Sequence, residues 1–396
     1  FGNASIFGGS YGWASAGRFH HAQSQLHRFL NCIGGYTRSK FTYSFAAAEA
    51  MVPHILGSYR AYLDTCTSWE SIEENTELFI CFGGVPLKNG QIAQGGTGSH
   101  KQKEKLIRSA NAGIKFVNFS PLKSDLLDEV NGEWLALRPN TDVAIMLGLA
   151  HTLYKEKLYD DKFIEKYTEG FDTFLPYLQG DIDGIVKDAN WASSISEIPS
   201  EKIISLAKEM SSKRTMISVS WSLTRQDHGE QPFWAAIMLA SMVGQIGLPG
   251  GGFGFGYSAT NHIGGQFSII PGAAFPQTQN KIEDFIPVAR ISDLLLNPGG
   301  SFDFDGKEYK YPDIKLIYWA GGNPFHHHQD INRLLQAWQK PETIISNEWC
   351  WNSLAKYSDI ILPCTTPLER QDIMLTPRDP YVVSMSKLVE PFGLAK

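Results

Sequence analysis

The sequence predicts an α/β protein with mostly parallel sheets, divided into two domains. Three observations predict it. Short β-rich runs recur at 78–82, 114–119, 215–221, 315–319, 343–346 and 359–362, mostly bounded by Gly, Pro or Asn. Helical patterns fall between them, at 22–32, 104–112, 142–155, 200–210, 234–243 and 329–339, and such alternation places helices on both faces of parallel sheets. The chain has 396 residues, 43% of them hydrophobic, which is too long for one ordinary domain and enough for a large core.

Each element has its own signal. The run LFICF at 78–82 is almost uninterruptedly apolar, as expected of a central strand buried on both faces. Pro199-Ser200-Glu201 marks a helix start with Ser200 as cap, and Asn140-Thr141-Asp142 marks another. From 231 to 280 there is no Asp, Glu, Lys or Arg. Gln245, Pro249 and a cluster of glycines interrupt its apolar character, so it is no membrane span. Two readings stay open for it: backbone packed around a large buried ligand, or a buried helix followed by a loop.

Composition narrows the function. Charged residues make up 19%, below the usual quarter, while Gly (37) and aromatic residues (12%) are plentiful. That balance suits a large enzyme with buried loops. The net charge is 35 − 41 = −6. No basic block is present, which argues against a nucleic-acid partner. The five cysteines form no C-x-x-C pair, so neither a zinc ribbon nor an iron–sulfur cluster follows from local spacing, and disulfides are not implied.

Several motifs carry possible chemistry. Gly247 to Gly256 is the most Gly-dense segment, but counted from Gly250 it fails G-x-G-x-x-G at Phe255, and no P-loop is present. His326-His327-His328 follows Gly321-Gly322-Asn323-Pro324. Neighbouring side chains diverge, so the three cannot share one ion. As donors beyond the carboxyl end of the strand at 315–319 they are more credible, because open α/β sheets bind ligands there. Asn347-Glu348 follows the next strand, Asp359 precedes another, and Asp142 opens a helix. Each of these is a cap or turn residue or a polar ligand contact. Gly8-Gly9-Ser10-Tyr11-Gly12 matches G-x-S-x-G. Ser10 is there a nucleophile, a cap or a metal ligand, and no apolar strand is expected to lead into it as a hydrolase elbow requires.

The segment 5–23, SIFGGSYGWASAGRFHHAQ, resembles the active-site segment of the dimethyl sulfoxide reductase family of molybdopterin oxidoreductases, on the side of its biotin sulfoxide and trimethylamine N-oxide reductases. Further blocks keep the likeness along the chain: RPNTDVA from Arg138, SWSLTR from Ser220, HGEQ from His228, GQIGLPGGG from Gly244, the run from Gly321 to Asp330, and LERQDI from Leu368. The resemblance implies two Rossmann-like domains with mostly parallel sheets in a fragment of a larger multidomain molybdoenzyme. It implies a discontinuous domain of 1–53 plus 331–396 carrying the metal ligand, and a domain of 54–330 binding one pterin–guanine dinucleotide. The chain starts inside an active-looking segment, so sequence on both sides is expected.

By the same resemblance Ser10 is the catalytic residue and the protein ligand to molybdenum, held by bis(molybdopterin guanine dinucleotide). A hard alkoxide oxygen suits high-valent molybdenum. Trp13 and Tyr11 would exclude water around the cofactor. Trp221, Ser222 and Arg225 match a segment against one pterin dinucleotide, and Asn323, His326 and His327 a segment near the other. Asn347, Glu348, Asp359 and Arg370 match positions near nucleotide or phosphate, and Asp142 one that accepts from a guanine N–H. His20 and His21 are candidates for proton supply. The implied activity is two-electron reduction of a small S-oxide or N-oxide, whose oxygen leaves as water. The implied partners are that substrate and an electron-donor protein such as a cytochrome, with the periplasm the favoured compartment. The rivals are another bis-pterin oxidoreductase, which usually carries Cys or selenocysteine at the metal, a serine hydrolase using Ser10, and a non-catalytic scaffold.

Overall fold

The computed structural model describes residues 1–12, 17–93, 96–265, 267, 269–270, 272 and 274–393. Nine of the described strands form two parallel sheets: β1 (Ile6–Gly9), β2 (Leu78–Phe82), β3 (Lys115–Phe119), β4 (Glu133–Leu135), β5 (Thr215–Val219), β6 (Gly252–Phe255), β7 (Leu316–Ala320), β8 (Thr343–Glu348) and β9 (Ile360–Pro363). The helices that matter below are α1 (Ala22–Cys32), α2 (Trp69–Asn75), α3 (Gln102–Asn111), α4 (Asp142–Lys155), α5 (Ala189–Ser196), α6 (Ser200–Ser212), α7 (Gln231–Met242) and α8 (Ile331–Trp338).

Two compact units result. The first comprises Phe1–Tyr43, Ala93–Gly98 and Ser268–Lys396, and the second Ser44–Ile92 and Ser99–Phe267. The expected boundaries near Pro53 and Asp330 are therefore displaced. The reason is strand pairing: β7, expected in the middle domain, pairs in parallel with β1 from Ile6↔Leu316 to Gly9↔Trp319. A second parallel pair, Arg38–Lys40 with Phe285–Pro287, also holds the segment before β7 to the N-terminal residues.

In the first unit the strand order is β1-β7-β8-β9. Phe7, Trp319, Leu334 and Trp338 are fully or almost fully buried in its core. Leu334 and Trp338 lie four residues apart on α8 and so share one face. Gly9 is required by this packing, since a Cβ there would stand 1.9 Å from Trp319 Cε3.

The second unit has the order β4-β3-β2-β5-β6. Every residue of β2 and β5 is buried, as the apolar run at 78–82 predicts. The chain moves outward from β2 to β3 and β4, then crosses to β5 and β6 on the other side. That reversal makes the gap between β2 and β5 a topological switch point. α4 is apolar almost all round and packs against α5, α6 and α7, as a helix buried on most faces must.

The helix start at Asn140-Thr141-Asp142 holds, with Thr141 in the cap position and its hydroxyl donating to the Arg138 carbonyl at 2.6 Å. Two expectations need correction. Ser200 does not cap α6: Pro199 holds the cap position and Ser200 is already helical. The helix expected at 234–243 begins at Gln231, because Pro232 fits the first turn, where its missing N–H costs nothing. The charge-free stretch opens with this buried helix and continues through a loop into β6. Its glycines from Gly244 to Gly251 thus lie at the amino end of the sheet, where Thr76 Oγ1 donates to the Gly250 carbonyl at 2.6 Å. Among the described residues no helix is long and apolar enough to cross a membrane.

Candidate functional site

In the first unit, β1 delivers Ser10 to the carboxyl end of the sheet. An apolar strand therefore does lead into Ser10, contrary to expectation. What distinguishes Ser10 from an elbow nucleophile is its partner. Its hydroxyl donates to the Ala320 carbonyl and lies 3.4 Å from that of Gly321, so it faces main chain, not an imidazole. The next N–H, of Tyr11, donates to the Gly321 carbonyl at 2.9 Å. β1 and β7 are thereby tied just where both strands end.

Gly321 and Gly322 follow with φ of +83° and +78°, a conformation L side chains rarely adopt. A Cβ on Gly322 would stand 2.7 Å from Tyr11 Cδ2. The chain then turns into Asn323, whose side-chain oxygen accepts from the Phe325 N–H at 2.9 Å and whose amide donates to Ser353 Oγ at 2.9 Å. The three adjacent histidines diverge as their spacing requires. His327 sets its ring 4.6 Å from that of Tyr11, and His326 is exposed. His328 turns inward between Tyr43 Oη and Ser292 Oγ, each at 2.8 Å. Among the described residues no cluster of His, Cys, Asp or Glu is placed to hold a metal ion.

Beyond the carboxyl ends of β7, β8 and β9 lies a cavity of about 1210 Å³. Asn323, His326, His327, Asn347, Glu348 and Arg370 all line it. Glu348 is buried and accepts from the Asn352 amide at 2.7 Å, and burial pushes its carboxyl pKa up. Arg370 donates to the Thr365 carbonyl at 3.0 Å. His20 also lines the cavity, while His21 caps α1 by accepting from the Ser24 N–H at 3.3 Å. Ser10 is not itself a lining residue, although its partners Ala320 and Gly321 are.

Asp359 is not brought to this cavity. It lies at the amino end of β9, is exposed, and accepts from the Ile344 N–H at 2.8 Å. That is a strand-edge role at the far end of the sheet. Trp13 lies outside the described residues. The sequence reading missed Asn352, Thr365 and Thr366 as lining residues. Thr366 did carry a legible signal: with Glu369 it forms a capping box, which the pattern T-x-x-E announces.

The second unit places Trp221, Ser222 and Arg225 on a short 3-10 turn directly after β5. Trp221 is buried, while Ser222 and Arg225 are exposed. The loop after β2 approaches the same turn. Gly83 and Gly84 have φ of +81° and +74°, and a Cβ on Gly83 would stand 2.5 Å from Leu223 Cδ1. These residues therefore flank the switch point. Asp142 stands apart, in the first turn of α4 after β4. It is only 5% exposed, and burial raises its carboxyl pKa to about 6.

Residues 2–396 match the family model described as molybdopterin oxidoreductase. The chain belongs to the molybdopterin oxidoreductase family. It is 47% identical over its whole length to the biotin sulfoxide reductase of Cereibacter sphaeroides, of which it covers 53%. It is 42% identical, again over its whole length, to that organism's dimethyl sulfoxide/trimethylamine N-oxide reductase, covering 49%. Over 94% of the chain it is 43% identical to the trimethylamine-N-oxide reductase of Haemophilus influenzae, covering 46%. The chain thus spans about half the length of these relatives. Its fold is shared with the acetylene hydratase of Pelobacter acetylenicus, at a TM-score of 0.59 and 16% identity, covering all of this chain and 54% of that one.

A molybdenum–pterin cofactor belongs to this family, and the residues present fit one. The cavity is large enough for a dinucleotide-sized group. Left-handed glycines keep side chains off its floor at Gly321 and Gly322. Arg370 supplies a fixed positive charge suited to phosphate, and Asn323 and Asn347 supply amide groups for a polar ring.

Proposed function

We propose that the full-length protein is a molybdenum-dependent reductase of small S-oxides or N-oxides, carrying bis(molybdopterin guanine dinucleotide), with Ser10 as the protein ligand to the metal. The observation that carries this reading is the pairing of two facts. Ser10 is delivered by a strand to the carboxyl end of the sheet, where its partners Ala320 and Gly321 line the cavity, and the relatives named above are S-oxide and N-oxide reductases.

When bound, the cofactor supplies the two-electron chemistry that removes the substrate's oxygen. The chain's own residues bind and orient it. Ser10 presents an oxygen already aligned by the Ala320 carbonyl, and metal coordination would exchange that hydrogen bond for a bond from the deprotonated oxygen. In the first unit, Asn323, His326, His327, Asn347, Glu348 and Arg370 contact one dinucleotide along the cavity. In the second, Trp221, Ser222 and Arg225 contact the other at the switch point, and Asp142 accepts from its guanine. His20, which lines the cavity, is the candidate for proton supply there. An electron-donor protein is required to return the enzyme to its reduced form.

The test uses the full-length protein. Metal analysis is expected to give about one molybdenum per chain, and reduced-dye assays are expected to show turnover of biotin sulfoxide, dimethyl sulfoxide or trimethylamine N-oxide. Ser10→Ala should abolish turnover. Unchanged reduction by that variant, or covalent labelling of Ser10 by a fluorophosphonate, would overturn the assignment.

A further inference from the structure

Two thiols face the first unit's cavity and play no part in the function above. Cys350 lies two residues after β8, and Cys364 one residue after β9. The two strands are neighbours in parallel register, with Glu348 opposite Pro363. The Cys364 N–H donates to the Glu348 carbonyl at 3.1 Å, so pairing continues one residue beyond the register and sets Cys364 beside Trp349. Cys350 follows Trp349 directly, so the two cysteines stand on neighbouring segments just past the ends of β8 and β9. Neighbouring parallel strands lie about 4.8 Å apart, and a disulfide joins Cα atoms of about that separation or a little more. In a regular strand, alternation would send the two side chains to opposite faces. Here the chain is already turning, with the Asn352 N–H returning to the Cys350 carbonyl at 2.9 Å, and both cysteines line the same cavity. Both are free thiols; Cys350 is exposed and Cys364 half-buried.

We propose that Cys350 and Cys364 form a reversible disulfide on the wall of this cavity when the cofactor is absent and a disulfide oxidant such as oxidised glutathione is present. The exposed Cys350 thiolate attacks the glutathione S–S bond, forming a mixed disulfide and releasing one glutathione thiolate. The Cys364 thiolate then attacks Cys350 Sγ, releasing the second. Two protein thiols lose two electrons and two protons, and one glutathione disulfide becomes two thiols. Cys364 suits the second, resolving position, because burial and then the Glu348 charge push its thiol pKa up against the opposing charge of Arg370. The bridge ties the segments after β8 and β9 together across space the cofactor would use. This last consequence rests on the reading that the cavity seats part of the cofactor.

The test treats cofactor-free full-length protein with oxidised glutathione and maps peptides without reduction. Trypsin separates the cysteines, since cleavage after Lys356 and Arg370 releases 357–370 with Cys364 and leaves Cys350 upstream. The expected product is the two peptides linked, two hydrogens lighter than their sum. Cys350→Ser and Cys364→Ser should each abolish the linked product, and Cys364→Ser should leave Cys350 singly glutathionylated. Separate glutathionylation of both residues in the unaltered protein, or no reaction at either, overturns the proposal. Cofactor-loaded enzyme is expected to resist bridging at least tenfold. Equal bridging in loaded and empty protein would confirm the thiol pair while removing the cofactor from this cavity.

Discussion

The Ser10 hydroxyl donates to the carbonyl of Ala320, 310 residues further along the chain. The bond joins the carboxyl ends of two neighbouring parallel strands. It fixes the oxygen proposed as metal ligand against main chain.

Stability and metal binding should therefore separate at this residue. Removing one half-buried hydrogen bond costs about 1 kcal/mol. Ser10→Ala in the full-length protein should lower the denaturation midpoint only slightly, while molybdenum content falls several-fold. A large loss of stability with metal retained would contradict the assigned role.

Packing beneath Ser10 has the opposite signature. Ala at position 9 would place Cβ 1.9 Å from the Trp319 ring. Gly9→Ala should therefore destabilise by about 1–3 kcal/mol through overpacking. Combined with Trp319→Leu, it should show favourable coupling in a double-mutant cycle read by denaturant unfolding. Strict additivity would mean the ring does not set the limit.

Asp142 predicts a pH dependence. Its folded pKa, raised by burial to about 6, exceeds its ordinary value of 3.8. Its protonated form is thus favoured in the native state. The stability it contributes is complete below about pH 4 and is lost as pH rises through 6. Asp142→Asn should gain stability relative to the parent between pH 4 and 7, on the order of 3 kcal/mol. Denaturation midpoints across that range would reveal the gain, and a constant difference would refute it.

His27 predicts the reverse slope. Its ring stacks on Tyr36 at 5.3 Å, and burial, then the charges of His21 and Arg38, hold its pKa down to about 4, against an ordinary 6.5. Its contribution is complete above pH 6.5 and is lost as pH falls towards 4, because only the unfolded chain takes up the proton. His27→Gln should flatten the stability profile over this interval. An unchanged slope would place the acid sensitivity elsewhere.

Much of the fold was legible. Six β-rich runs became strands because they are apolar, short and bounded by turn residues, and α1 and α4 begin and end where the pattern places them. Ile6–Gly9 was not read as a strand, since two of its four residues are glycines with no β preference. It is a strand because β7 pairs with it. Gly252–Phe255 escaped for the same reason: half of it is Gly, and β5 recruits it. The grouping of Asn323, Asn347, Glu348 and Arg370 around one cavity was only partly visible. Polar residues after strands are a local signal, but Asp359 bears the same kind of signal and lies at the sheet's other end.

What the sequence determined by itself is local and chemical: the alternation of strand and helix, the divergence of the three histidines, and the residue types suited to a metal and to phosphate. These follow from periodicity and side-chain chemistry, which act over a few residues. Tertiary structure decided which distant segments share a sheet, that Ser10 stands at a strand's carboxyl end, and that Cys350 and Cys364 face one cavity. Parallel pairing carries no local signature, because its hydrogen bonds join residues separated by long crossovers, and only the closed core selects among the possible partners.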